Sequence, residues 1–146
     1  MSENSNKPNV LFWIIGIVAL LWNAMGVKAY LDQAYQTDAF KEMYKDSPEL
    51  LEIVNNLPSW YTALFAIAVF GSTLACILLL LRKNLAKLLF FLSLIAVIVQ
   101  TGYNLFMNDG KEHYDAFQYS MLILIPVIAV FLYLYSKSAS RKGWLS

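Results

Sequence analysis

The sequence predicts an all-α protein: a four-helix transmembrane bundle with a short outer interfacial helix, built as a single domain over residues 1–146. Three observations carry this. Of the 146 residues 59% are apolar or aromatic and 14% charged, where a soluble domain has roughly 45–50% and about 25%. Four apolar runs, at 10–31, 60–81, 85–107 and 117–135, each reach the ~18 residues needed to cross a hydrocarbon core of about 30 Å. The charges between the runs then separate by sign. Lys7, Arg82, Lys83, Lys87, Lys137, Arg141 and Lys142 stand against Glu3 on one side, while nine acids stand against three bases in the two connections on the other. Basic short loops stay in the cytoplasm, which places both termini there and the acidic loops outside.

Each run is read as a helix because backbone groups in lipid must be satisfied within their own segment, whatever the β-branched content. The first run carries Ala24-Met25-Gly26, a loose match to a signal cleavage site. A tail whose only base is Lys7, and the bulky Trp22-Asn23 pair ahead of that site, favour a retained membrane helix. The connection that follows spans 28 residues, 32–59. Within it Ser47-Pro48-Glu49 has the order of an N-cap, an N1 proline and a first-turn acid, and Asn55-Asn56 before Pro58 is a stop. A helix at 48–55 follows, with Leu50, Leu51, Val54 and Leu57 at helical spacing, suited to lie on the outer surface as a lid.

Only Arg82-Lys83-Asn84 parts the second and third runs, so these are antiparallel neighbours. Gly71-Ser72 with Ala75-Cys76, and Gly16 with Ala19, predict close helix contact. Pro126 removes a backbone bond near the middle of the fourth run and predicts a kink. The closing Arg141-Lys142-Gly143-Trp144-Leu145 reads as an anchor at the inner surface.

Candidate binding residues lie late in the two outward-running spans: Asn23 in the first, and Gln100, Tyr103 and Asn104 in the third. Gln100, Tyr103, Asn104 and Met107 share one helix face by their spacing. Trp60, Tyr61, Tyr119 and Ser120 begin the returning helices at similar height. Carboxamides facing lipid would be unsatisfied, so the expected arrangement is an outward-opening polar pocket with Trp60 at its rim. Amides, hydroxyls and rings suit a neutral, polyhydroxylated or similarly polar solute. The competing reading is that Asn23 and Gln100 bond one another as glue between helices. Lys28 sits near the outer end of its span, either snorkelling toward Asp32 or joining the site.

Other classes find little support. A net charge of +1 offers no field for a nucleic acid, and Cys76, the single cysteine, can form no internal disulfide and reads as a small core residue. His113 is the only histidine, so a zinc site would need Asp109, Glu112 or Asp115 beside it, and a solvated loop histidine is the simpler reading. No span contains Asp or Glu, and no nucleophile triad, P-loop or dinucleotide fingerprint is present. No cofactor, metal or enzymatic activity is expected.

Several segments together resemble an uncharacterised family of small bacterial four-span membrane proteins that often carry a provisional sugar-transporter label. They are Leu21-Trp22-Asn23-Ala24-Met25-Gly26, Phe65-Ala66-Ile67-Ala68-Val69-Phe70-Gly71, Leu80-Leu81-Arg82-Lys83, Leu94-Ile95-Ala96-Val97-Ile98-Val99-Gln100 and Lys142-Gly143-Trp144-Leu145. The likeness implies a bacterial inner-membrane carrier of a sugar or similar solute. The Pro-Gln pair of three-helix-repeat sugar carriers is replaced by Val99-Gln100. The four-span plan is also similar to DoxX-like membrane proteins, which implies the alternative of an accessory subunit in a larger membrane complex. A carrier of only four helices must form a homo-oligomer or hold an aqueous path of its own.

Overall fold

The computed structural model describes residues 7–106 and 116–146, the side chains of 117 and 118 excepted. The expectations placed on Met107, Asp109, Glu112, His113 and Asp115 lie outside the described residues. Among the described residues six helices follow in order: α1 (Val10–Tyr35), α2 (Asp38–Met43), α3 (Pro48–Asn55), α4 (Ser59–Leu80), α5 (Leu85–Phe106) and α6 (Ala116–Arg141). Four of them are long and apolar enough to span a bilayer, and the chain is a small multi-pass membrane protein of the all-α class.

Helix ends follow local chemistry. The Asn9 carboxamide oxygen accepts from the Phe12 amide at 2.9 Å and starts α1. Gln36 ends it in the left-handed region at φ 52°, where the Thr37 amide turns back to the Asp32 carbonyl. Thr37 then caps α2, its hydroxyl accepting from the Phe40 amide. The sequence reading missed α2 because a six-residue helix is too short to show a period. α3 lies where expected, but Ser47 makes no side-chain cap bond, and the fixed φ of Pro48 serves the first turn in its place.

α6 continues six residues beyond its expected end at Tyr135. Loss of apolar character marks where lipid ends, whereas Ser136, Ala139 and Ser140 remain compatible with helix and gain burial on one side. Pro126 lies within this helix. Every buried residue of α6 (Leu132, Ser136 and Ala139) comes after it, and no described residue before it is buried.

The long helices pack in chain order, α1 on α4, α4 on α5 and α5 on α6, with α4 and α5 the most closely joined. Small residues set these distances. A methyl group on Gly71 would lie 2.6 Å from the Ser93 hydroxyl, and one on Gly16 would meet the tip of Leu80. The core lies toward the end that carries the tight turn and the C-terminal tail, here the terminal end. Phe12, Ala19, Ala75, Cys76, Leu79, Ala86, Phe90, Leu132, Ala139, Trp144 and Leu145 form it, while a smaller group of Ala68, Ala96 and Val97 lies nearer the opposite, loop end. At most 33% of the strongest apolar stretch of any span is buried, and side chains such as Leu21, Met25, Ile98 and Ile123 face outward, as lipid requires.

The tail departs from expectation. Trp144 and Leu145 are not a membrane anchor; they are 7% and 5% exposed and complete the core. The reason is reach: Gly143 at φ 80° reverses the chain after α6 and lays the Trp144 ring on Phe12, centroids 5.7 Å apart.

Candidate functional site

The first turn of α4 positions the polar groups of the loop end. Tyr61 and Asn104 stand symmetrically about the turn joining α4 to α5, so antiparallel packing brings them level. The Asn104 carboxamide donates to the Tyr61 hydroxyl at 2.9 Å, and Gln100, one helical turn earlier, donates to the Tyr61 carbonyl at 3.4 Å. Tyr103 packs its ring against Tyr61 at 5.1 Å and edge-on against Trp60 at 5.3 Å. Trp60 is 48% exposed, a rim position. Gln100, Tyr103, Asn104 and Trp60 therefore do meet, around Tyr61.

Asn23 does not join them. Its carboxamide nitrogen donates to the Ala19 carbonyl at 2.9 Å and to the Cys76 sulfur at 3.4 Å. Cys76 lies about 22 Å further along α4 than Tyr61 at a rise of 1.5 Å per residue. The expected common depth of Asn23 and Gln100 is corrected accordingly. α4 stands between α1 and α5, so the amides of those two helices approach it from opposite sides and at different levels. Ser120 is also turned elsewhere, its hydroxyl donating to the Ala116 carbonyl of its own helix.

Lys28 pairs with Asp32 at 2.7 Å, the lysine side chain 70% exposed and the carboxylate 17%. The Thr37 hydroxyl donates to the other Asp32 oxygen at 2.9 Å. This chain of contacts ties the end of α1 to the start of α2, and Lys28 touches neither polar group of the loop end that α4 organises.

On the α1 side of α4, the turn's next residue, Thr62, faces a half-open cleft of about 160 Å³. Tyr30, Gln33, Ala34, Gln36, Val54, Asn55 and Leu57 complete its lining. Three elements build it: the last turns of α1, the C-terminal end of α3 and the first turn of α4. Gln36 donates to the Gln33 carbonyl at 2.7 Å and toward the Asn55 carboxamide oxygen at 3.3 Å, which links α1 to α3 at the mouth. The α2–α3 segment is seated by the buried Phe40 and Leu50, with Tyr44 against Phe40 at 5.1 Å. Burial pushes the Tyr44 phenol above its ordinary value and keeps it neutral at physiological pH.

Three carboxamides and two hydroxyls in the cleft can each donate and accept, while Val54, Leu57 and the Tyr30 ring offer apolar surface. Among the described residues no charged side chain lines it. Sequence reasoning overlooked Gln33, Gln36 and Asn55 because they fall in the connection rather than in the apolar runs. The signal available was positional: two amides follow shortly after the first run, and another ends the helix at 48–55. Among the described residues no group of three or more His, Cys, Asp or Glu is placed to hold a metal. Set against family models, curated proteins and solved structures, the chain shows no match.

Proposed function

We propose that this membrane protein binds a small neutral polar solute, such as a sugar, at its loop end and carries it across a bacterial inner membrane, with both termini cytoplasmic. The observation that supports the reading is the cleft bounded by Gln33, Gln36, Asn55 and Thr62, whose lining is uncharged among the described residues. Gln100, Asn104, Tyr103 and Trp60 support the wall behind it by holding Tyr61, the neighbour of Thr62, in place. The resemblance to four-span proteins with a sugar-transporter label agrees in substrate class.

The test is a thermal melt of the purified chain in detergent across a panel of sugars and polyols. A solute present at a hundredfold over its Kd should stabilise the fold by about 2.7 kcal/mol. Gln33→Leu and Asn55→Leu should each remove the shift without lowering the ligand-free melt by more than about 1 kcal/mol, since both amides are near the surface. A flat response across the whole panel would defeat the proposal.

One feature favours a second reading. The loop half of α6, before Pro126, contributes no described residue to the core, a surface that an accessory subunit would pack against a helix of a larger complex. Reproducible co-purification of one membrane partner, lost on placing a bulky residue at Ile123, would favour that reading instead.

A further inference from the structure

We infer that residues 143–146 are a releasable strap that holds the terminal end of the bundle shut. The strap is the point at which the whole fold converges. Below it the core draws on α1 (Phe12, Ala19), α4 (Cys76, Leu79), α5 (Ala86, Phe90) and α6 (Leu132, Ala139). Trp144 meets Phe12 edge-on, and Phe12 also meets the Tyr135 ring of α6 at 6.3 Å, so the strap covers the place where the beginning of α1 and the end of α6 come together.

The fastening combines the buried Trp144 and Leu145 side chains with main-chain and side-chain hydrogen bonds to one turn. The Ser146 amide donates to the Arg82 carbonyl at 2.9 Å, the Asn84 amide donates to the Ser146 carbonyl at 3.4 Å, and the Arg82 Nε donates to the Trp144 carbonyl at 2.8 Å. Ser140 adds a bond to the Asn84 side chain at 2.7 Å. No helix continues through the strap, so lifting it costs at most the capping bonds of the Gly143 and Trp144 amides on the Ser140 and Ala139 carbonyls, both at 3.0 Å, and leaves the body of α6 in place. The strap has one pivot with left-handed backbone, Gly143 at φ 80°, which glycine bears without cost. The turn that receives it is fixed independently by α4, whose end is closed by the Arg82 amide on the Leu79 carbonyl and the Lys83 amide on the Leu78 carbonyl, both at 2.9 Å.

Lifting a strap held this way uncovers the apolar end of the bundle without unfolding a span, a local opening of the kind drawn from the weakly held parts of a structure. In a protein whose opposite end bears a cleft, such an opening supplies access from the other side. The inference stands on the tail's contacts and holds whatever the cleft binds.

Cys76, fully buried in the core beneath the strap, is a native reporter. The bonds of Ser146 to Arg82 and Asn84 set Lys83 opposite Ser146 as in a parallel strand pair, so Lys83→Cys with Ser146→Cys can lock the strap by a disulfide. The full chain in detergent is treated with a small thiol reagent, oxidised and after reduction. Reaction of Cys76 should be slower by on the order of tenfold in the locked form and return to the wild-type rate on reduction. Equal rates in the two forms would overturn the inference. Hydrogen exchange of the unmodified chain gives an independent reading that needs no variant. The Trp144 and Ser146 amides should exchange well before that of Leu79, and exchange of all three together would show that the tail opens only when the bundle does.

Discussion

At the scale of single residues, partners are decided by helix order more than by depth. Asn23 satisfies itself on its own helix and on Cys76, whereas Gln100 leans on the Tyr61 backbone. The two amides therefore share no neighbour. Asn23→Leu and Gln100→Leu should each cost about 1–3 kcal/mol through the contacts left unmade. Their effects should add within about 0.5 kcal/mol, as for separated sites. A chemical or thermal double-mutant cycle measures this, and a double variant that recovers stability would mean that the two amides do pair. Lys28 is a contrasting case, since its spacing of four from Asp32 made the pair readable without knowledge of any other helix.

At the scale of elements, the α4–α5 pair rests on a close approach at Gly71 and Ser93. The Ser93 hydroxyl is buried without a hydrogen-bond partner among the described residues, next to the bare α-carbon of Gly71. Gly71→Ala should therefore destabilise by about 1–3 kcal/mol through overpacking. Ser93→Ala removes an unsatisfied group and should be neutral or stabilising by up to about 1 kcal/mol. Once the hydroxyl is gone, the nearest atom to the new Gly71 methyl is the Ser93 β-carbon at 4.0 Å, an ordinary contact. Combining Gly71→Ala with Ser93→Ala should thus rescue most of the loss, as read from melting in detergent. An unrescued double variant would place the clash on the backbone. Small residues in the sequence predicted such an approach, but which serine would oppose which glycine depended on the register set at the Arg82 turn.

For the whole molecule, the tail, the tight turn and the start of α1 gather at one end, and α2 and α3 at the other. The proposed orientation, with both termini cytoplasmic, rests on the separation of basic from acidic connections. With Cys76 replaced by Ala, Ser138→Cys should resist an impermeant thiol reagent added to intact cells and react once the cells are permeabilised. Glu49→Cys, on α3, should react at once. The reverse pattern would invert the topology and with it the side on which the cleft opens.

The all-α class, the four apolar helices, the helix at 48–55 and the Lys28–Asp32 pair were legible in the sequence, because length, apolar character and i to i+4 spacing act within one segment. Tyr61 with Asn104 was within reach too, by counting outward from the turn. The cleft, the separation of Asn23 from Gln100 and the burial of Trp144 belong to the tertiary structure. Each depends on which helices are neighbours and on where a short non-helical segment folds back. Apolar periodicity carries neither piece of information, since in lipid every span has a hydrophobic surface whichever neighbour it meets.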